Sequence, residues 1–339
     1  MKLSHRLALT SSEPLFRGVF PPITTPFVEG TEDVDHAALA HNVQRYARKE
    51  NGLSGLVVLG SNGEFPFLTS AERIEVLRTA KLEAAKAEQE TGHKLRLIAG
   101  TGCVSTRETI ELTNAAKDLG YDAVMLVTPY YYTNTMQNNL QHHYTEVAKN
   151  VGGMPIILYN VPPMAGGVAF TVPLIRDLAE IPNIVGIKDT SGNIVQLTEI
   201  VQKVKLPLAS KGKSFSVLAG SGSYFFPALT VGADGGVMAL ANIIPHVLSQ
   251  LYKDFHAAEA QPHLLHQCQK VQHAVVELNQ KITAEFGTPG MKRALDLSNV
   301  YRGGVPRRPL RSLSDERAQV LVSVLERTGK DLGHLGLKL

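Results

Sequence analysis

The sequence predicts an α/β fold, a (β/α)8 TIM barrel with a C-terminal helical extension. Three observations carry this: eight short β-rich runs, helix-patterned segments between them, and helical segments alone after Asn242. The runs are GVFPPITTPF from Gly18, GLVVLG from Gly55, LRLIAGTG from Leu95, AVMLVTP from Ala123, PIILYNVP from Pro155, IVGIKDTS from Ile184, FSVLAGSG from Phe215 and GGVMALAN from Gly235. Each is nearly continuous in apolar side chains and bounded by Gly, Pro, Ser or Asn. A parallel sheet covered on both faces requires such strands. Eight β/α repeats in about 240 residues point to a barrel. A doubly wound open sheet, the alternative, has less need of eight equally buried strands.

The intervening segments justify the helices. TSAERIEVLRTAKLEAAKAE opens with a capping box, Thr69 with Glu72, and carries Ile74, Leu77 and Lys81 at helical spacing. STRETIELTNAAKDLG repeats the device with Ser105 and Glu108 and ends at Gly120, as a helix C-terminus would. Past Asn242, PHVLSQLYKDFHAAEA, HLLHQCQKVQHAVVELNQKITAEF and SDERAQVLVSVLERTG exceed what an eighth barrel helix needs. The expected organisation is a flexible tail over 1–15, the barrel over 16–244 and a helical extension over 245–339 packed on it, with no linker.

Composition excludes several classes. The 339 residues are 44% hydrophobic and 19% charged, as in an ordinary soluble globular protein. Net charge is +3, and the densest basic patch, Val305 to Leu313 (VPRRPLRSL), reads as a solvated face or subunit contact rather than a nucleic-acid site. No apolar run approaches the roughly 18 residues of a membrane span. Cys103 and Cys268 give neither zinc spacing nor a disulfide framework, which points to a reducing compartment. The expected location is cytoplasmic. The basic, hydroxyl-rich N-terminus keeps a mitochondrial alternative open, and the final LKL differs at one position from a peroxisomal SKL. His142 and His143 are adjacent and face different ways around a helix, so no metal is expected. GTGCVS from Gly100 and GSGSYF from Gly220 lack the third glycine of a dinucleotide fingerprint, and no cofactor is expected.

Barrel enzymes work at the C-terminal ends of their strands. The polar residues there are GSNGE (Gly60 to Glu64), TPYYYTN (Thr128 to Asn134), YNVPP (Tyr159 to Pro163), KDTSG (Lys188 to Gly192) and AGSGS (Ala219 to Ser223). Lys188, held among Val185, Gly186 and Ile187, is partly desolvated, and desolvation favours the neutral, nucleophilic amine. Such an amine forms a Schiff base with a ketone. The alternative is a snorkelling side chain with its ammonium in water. A phenol such as Tyr159 can shuttle protons, and GSNG has the composition of an anion-binding turn. Glu64 and Asp189 read as structural ties near the site.

In the same order along the chain, GSNGEFPFLTSAER, VTPYYY, ILYNVPP and VGIKDTSGN resemble signatures of the dihydrodipicolinate synthase and N-acetylneuraminate lyase superfamily, from roughly Phe16 to Leu313. The resemblance implies a pyruvate-handling class I aldolase on a (β/α)8 barrel. By motif, Lys188 matches the Schiff-base lysine and Tyr159 the acid–base tyrosine. Ser61 and Asn62 match the residues that bind the pyruvyl carboxylate, with Ser61 also in the proton relay. Tyr131 matches a relay tyrosine supplied by a neighbouring subunit, which implies a homotetramer built as a dimer of dimers. Thr190 and Gly220 match positions near a small 2-oxo acid substrate.

The synthase branch of this family carries an arginine two residues after the YNVP proline, where this chain has Met164, and usually GTTGE where this chain has GSNGE. A thioether cannot make a charge-assisted bond to a carboxylate. GSNGEFPFLTS and FGTPGMKRALD are instead similar to the eukaryotic 4-hydroxy-2-oxoglutarate aldolase branch. That similarity implies cleavage of 4-hydroxy-2-oxoglutarate to pyruvate and glyoxylate. The alternatives are a 2-keto-3-deoxy sugar acid aldolase and a 4-hydroxy-tetrahydrodipicolinate synthase.

Overall fold

The computed structural model describes residues 14–338, so most of the tail expected over 1–15 lies outside the described residues. Eight parallel strands form one sheet: β1 Gly18–Phe20, β2 Gly55–Val58, β3 Arg96–Gly100, β4 Ala123–Val127, β5 Ile156–Asn160, β6 Ile184–Asp189, β7 Ser216–Ala219 and β8 Gly235–Val237. Each pairs with its neighbour in the chain from β2 to β8, and β8 returns to β1 with Gly18 opposite Gly235. The seam between β1 and β2 is closed by a bridge between Pro22 and Val57, where Ile23 N–H donates to Val57 O at 2.9 Å and Val57 N–H to Pro21 O at 3.0 Å. The first apolar run is ten residues long, yet its strand has three. Pro21 and Pro22 have no N–H to give a ladder, so β1 ends at Phe20.

The helices begin where their caps direct. Thr69 and Glu72 form both halves of the capping box that starts helix Ser70–Thr91. The Ser105 side chain accepts from Glu108 N–H at the start of helix Thr106–Asp118, and Gly120 follows in a left-handed conformation. Strand side chains fill the barrel and its helical sheath, with Leu56, Val57, Val124, Leu126, Ile157, Leu158, Ile187 and Val217 all buried.

Helix Pro245–Ala257 packs against β1. Helix Leu264–Gln280 crosses the turn Gly222–Tyr224 beyond β7, continues through a wide π turn at Lys281–Glu285, and leads into helix Gly287–Leu297. Helix Asp315–His334 covers Leu264–Gln280. This path carries residues 279–288 over the C-terminal mouth of the barrel. The basic patch is tied internally: Arg307 reaches Glu72 at 2.7 Å, and Arg308 pairs with Glu32. Among the described residues, no helix is long and apolar enough to cross a membrane.

Candidate active site

The register of β5 and β6 sets the centre of the site, with Tyr159 opposite Lys188 and Asn160 opposite Asp189. Lys188 is only 4% exposed, and its Nζ lies 4.0 Å from the centroid of the Tyr159 ring. The apolar run of β6 therefore delivers its lysine into an enclosed space at the barrel mouth, not to solvent, where a snorkelling side chain would end. Tyr159 Oη lies 3.2 Å from Ser61 Oγ, close enough for a proton to pass between the two hydroxyls.

Ser61 opens the short helical turn Ser61–Gly63 beyond β2. Thr25 Oγ1 donates to Gly63 O at 2.8 Å, and Asn62 Nδ2 to Pro22 O at 3.4 Å, so residues after β1 brace the turn. Glu64 ends it in the left-handed region at φ +53°. The side chain of Asp189 is fully occupied: Oδ1 accepts from Ser191 N–H and Ser191 Oγ, and Oδ2 from Asn160 Nδ2. Its role is to hold the loop that carries Thr190.

Gly220 N–H donates to Asp189 O at 2.7 Å. A Cβ at residue 220 would fall 2.0 Å from Thr190 Oγ1 and 2.6 Å from Asp189 O, so glycine is what lets β7 close on this loop. Thr190 Oγ1 is buried without a protein partner, an arrangement suited to a ligand atom. Ser61, Asn62, Tyr159, Lys188, Thr190 and Gly220 all line one cavity of about 110 Å³. A larger cavity of about 590 Å³ lies away from it, between Arg45, His246, Tyr301 and Glu326, and holds none of these groups.

Tyr131 is the exception among the sequence-derived candidates. It is 71% exposed, sits edge-to-face with Tyr132 at 5.0 Å, and does not reach the cavity of its own chain. Sequence reading also missed residues that do reach it: Asn279, Thr283, Gly287 and Thr288, from the C-terminal helices. Their signal was faint, a Gly-Thr-Pro-Gly break in a long helical pattern. Asn279 is buried and donates to Ser221 Oγ at 3.0 Å and Ser223 Oγ at 2.7 Å, pinning the turn beyond β7. Met164 lines the cavity, with 62% of its surface exposed.

Burial pushes His143 down to about 4, which keeps it neutral, and its Nδ1 lies 2.9 Å from Thr106 Oγ1 in helix packing. Among the described residues no cluster of three His, Cys, Asp or Glu side chains could hold a metal ion.

A strand-end lysine, a tyrosine and a serine hydroxyl share one cavity on a closed parallel barrel, an arrangement that fits the pyruvate-dependent class I lyases and aldolases, the class to which its family match assigns the chain. Residues 15–328 match the Dihydrodipicolinate synthetase family, and the chain belongs to that family. Among curated relatives, a 4-hydroxy-tetrahydrodipicolinate synthase of Archaeoglobus fulgidus is 35% identical over 312 residues, 92% of this chain and 98% of the relative. Another from Oceanobacillus iheyensis is 34% identical over 91% of this chain and 96% of the relative. Among solved structures, the chloride-inhibited dihydrodipicolinate synthase of Acinetobacter baumannii complexed with pyruvate superposes with a TM-score of 0.80 at 33% identity, covering 92% of this chain and 99% of that one. A prophage protein of the same family from E. coli K12, also complexed with pyruvate, gives a TM-score of 0.81 at 28% identity, covering 93% and 99%.

Proposed function

We propose that the enzyme makes or breaks a carbon–carbon bond next to a pyruvyl imine carried by Lys188. The observation that carries this is Lys188 Nζ, buried 4.0 Å from the Tyr159 ring centre, with Tyr159 Oη 3.2 Å from Ser61 Oγ in the same cavity. The amine attacks the ketone carbon of a 2-oxo acid and water leaves. The protonated imine draws electrons from the adjacent methyl or methylene, a base removes a proton there, and an enamine forms. Tyr159, relayed through Ser61, moves the proton to or from the oxygen of the aldehyde half. The Ser61–Asn62 turn receives the pyruvyl carboxylate through backbone N–H groups and side-chain donors. Pyruvate in two structurally similar relatives supports the 2-oxo acid.

For the aldehyde half, the names of the relatives support the 4-hydroxy-tetrahydrodipicolinate synthase reaction, in which the enamine condenses with aspartate semialdehyde. This is the first reading, and it takes precedence over the aldolase that the sequence motifs favoured. The second reading, cleavage of 4-hydroxy-2-oxoglutarate to pyruvate and glyoxylate, rests on one observation. Met164 lines the cavity, whose lining has no arginine to hold the carboxylate of aspartate semialdehyde. A homotetramer in which a neighbouring chain's Tyr131 completes the relay is part of the proposal, supported by the exposure of Tyr131 beyond β4.

The test follows pyruvate in wild-type and Lys188→Ala protein. Consumption is measured with aspartate semialdehyde, and release from 4-hydroxy-2-oxoglutarate and from several 2-keto-3-deoxy sugar acids. Consumption that Lys188→Ala abolishes is the expected result. Release from the five-carbon dicarboxylate alone replaces the first reading by the second, and release from sugar acids alone overturns both. Full turnover by Lys188→Ala would overturn the imine itself.

A further inference from the structure

Beneath the Ser61–Asn62 turn lies an ion pair that the chemistry above does not use. Glu64 Oε1 and Lys292 Nζ are 2.5 Å apart, and both side chains are 1% exposed. Glu64 is the residue that closes the turn, in a backbone conformation that strains a side-chain-bearing residue. Something must over-determine that conformation. Arg307 N–H donates to Glu64 Oε2 at 2.9 Å, and Lys292 holds the other oxygen. Lys292 is itself fixed, donating to Val305 O at 2.7 Å and lying 4.2 Å from the centre of the Phe27 ring. Its helix, Gly287–Leu297, also begins with Gly287 and Thr288 in the wall of the cavity.

We propose that Glu64 and Lys292 form a positioning pair, through which the C-terminal helices set the geometry of the anion-binding turn Ser61–Asn62. This rests on the reading above, in which that turn receives the pyruvyl carboxylate.

A contribution to stability alone explains the pair poorly. Burial pushes the Lys292 amine down to about 8 and the Glu64 carboxyl up, so desolvation outweighs mutual attraction at both ends. The other charged groups facing the pair are Arg307, which opposes the Lys292 charge, and Asp296, which favours it. A buried pair of this kind is commonly no more stabilising than neutral residues of similar volume. What neutral residues would not keep is a carboxylate locked in one orientation under the turn.

The experiment traps the imine in full-length protein with pyruvate as the probe. Lys188 Nζ displaces water from the pyruvate ketone, and borohydride delivers hydride to the imine carbon, leaving a stable secondary amine that intact mass detects. Adduct formation is titrated with pyruvate, and melting temperature is measured alongside. In Glu64→Gln, half-saturation is expected to rise about tenfold, with undiminished adduct at saturating pyruvate. In the double variant Glu64→Gln with Lys292→Met, the melting temperature stays near or above that of the wild type while half-saturation stays raised. Folded variants with half-saturation within about twofold of the wild type would overturn the positioning role. Large losses of melting temperature in both variants would make the pair a stability element and overturn it too. Failure of the wild type to form any adduct would instead overturn the function on which the inference rests.

Discussion

Lys188 and Tyr159 show how much chemistry a register can specify. The two residues are directly opposite on neighbouring strands, so the phenol ring forms one wall of the space around the amine. Ser61 completes the contact from a turn 98 residues earlier in the chain. Removing only the phenol oxygen should leave the ring against Lys188 and cut the relay. Tyr159→Phe is therefore expected to keep borohydride-trappable imine with pyruvate while turnover falls by about 10²–10⁴-fold, the usual worth of a positioned proton donor. Stopped-flow turnover and intact mass on the same preparation would check both halves. Loss of the imine together with turnover would mean that Tyr159 shapes the site rather than moving protons.

At the scale of elements, the site depends on how closely β6 and β7 approach beyond their ends. Gly220 hydrogen-bonds to Asp189 O, while Tyr224 Oη donates to the same oxygen at 2.8 Å. No side chain fits between these loops. Gly220→Ala would drive its methyl into Thr190 Oγ1 and the Asp189 carbonyl, displacing Thr190 from the cavity. Such overpacking usually costs about 1–3 kcal/mol, and here it should also weaken pyruvate binding. Thermal denaturation and pyruvate titration would read the two effects, and a variant with wild-type values for both would refute the argument. The same close approach explains why GSGSYF resembles part of a dinucleotide fingerprint. Its first glycine serves loop packing, and its second, Gly222, would carry a Cβ 3.0 Å from Asn279 Oδ1.

Over the whole molecule, the C-terminal helices bury apolar side chains such as Val275, Leu278, Leu295 and Leu321 in the common core, while the segment between the last two helices is tied to the barrel through Arg307. Arg307 joins the two ends of the fold: its guanidinium grips Glu72, in the first turn of the helix after β2, and donates to the carbonyls of Glu32 and Phe67. The Arg307 guanidinium holds the Glu72 carboxyl well below its ordinary value, at about 2. A carboxylate depressed in the folded state contributes stability that is fully present above its unfolded value of 4.5 and is lost as pH falls through the folded one. Glu72→Gln is thus expected to lower the melting temperature at neutral pH. The gap to the wild type should then narrow as pH falls from 4.5 towards 2. Calorimetry across that range would check it, and a gap independent of pH would show that the tie is not ionic.

The amino-acid sequence by itself determined the barrel and the inner ring of the site. Strand-length apolar runs have few other ways to bury both faces, and the helix caps are local, written within four residues of each other. Lys188, Tyr159, Ser61 and Asn62 were legible as polar groups at the ends of runs, and Thr190 and Gly220 through the resemblance of their motifs; strand ends converge in a barrel, and all six line one cavity. Tertiary structure alone decided the rest. The path of the C-terminal helices brought Asn279, Thr283 and Thr288 to the cavity from far along the chain, with no periodicity to announce them. Glu64 and Lys292, 228 positions apart, became a pair only because the barrel mouth and the helical cover meet there. Short-range patterns record what a segment must bury; which distant segment buries it is settled only when the whole chain closes.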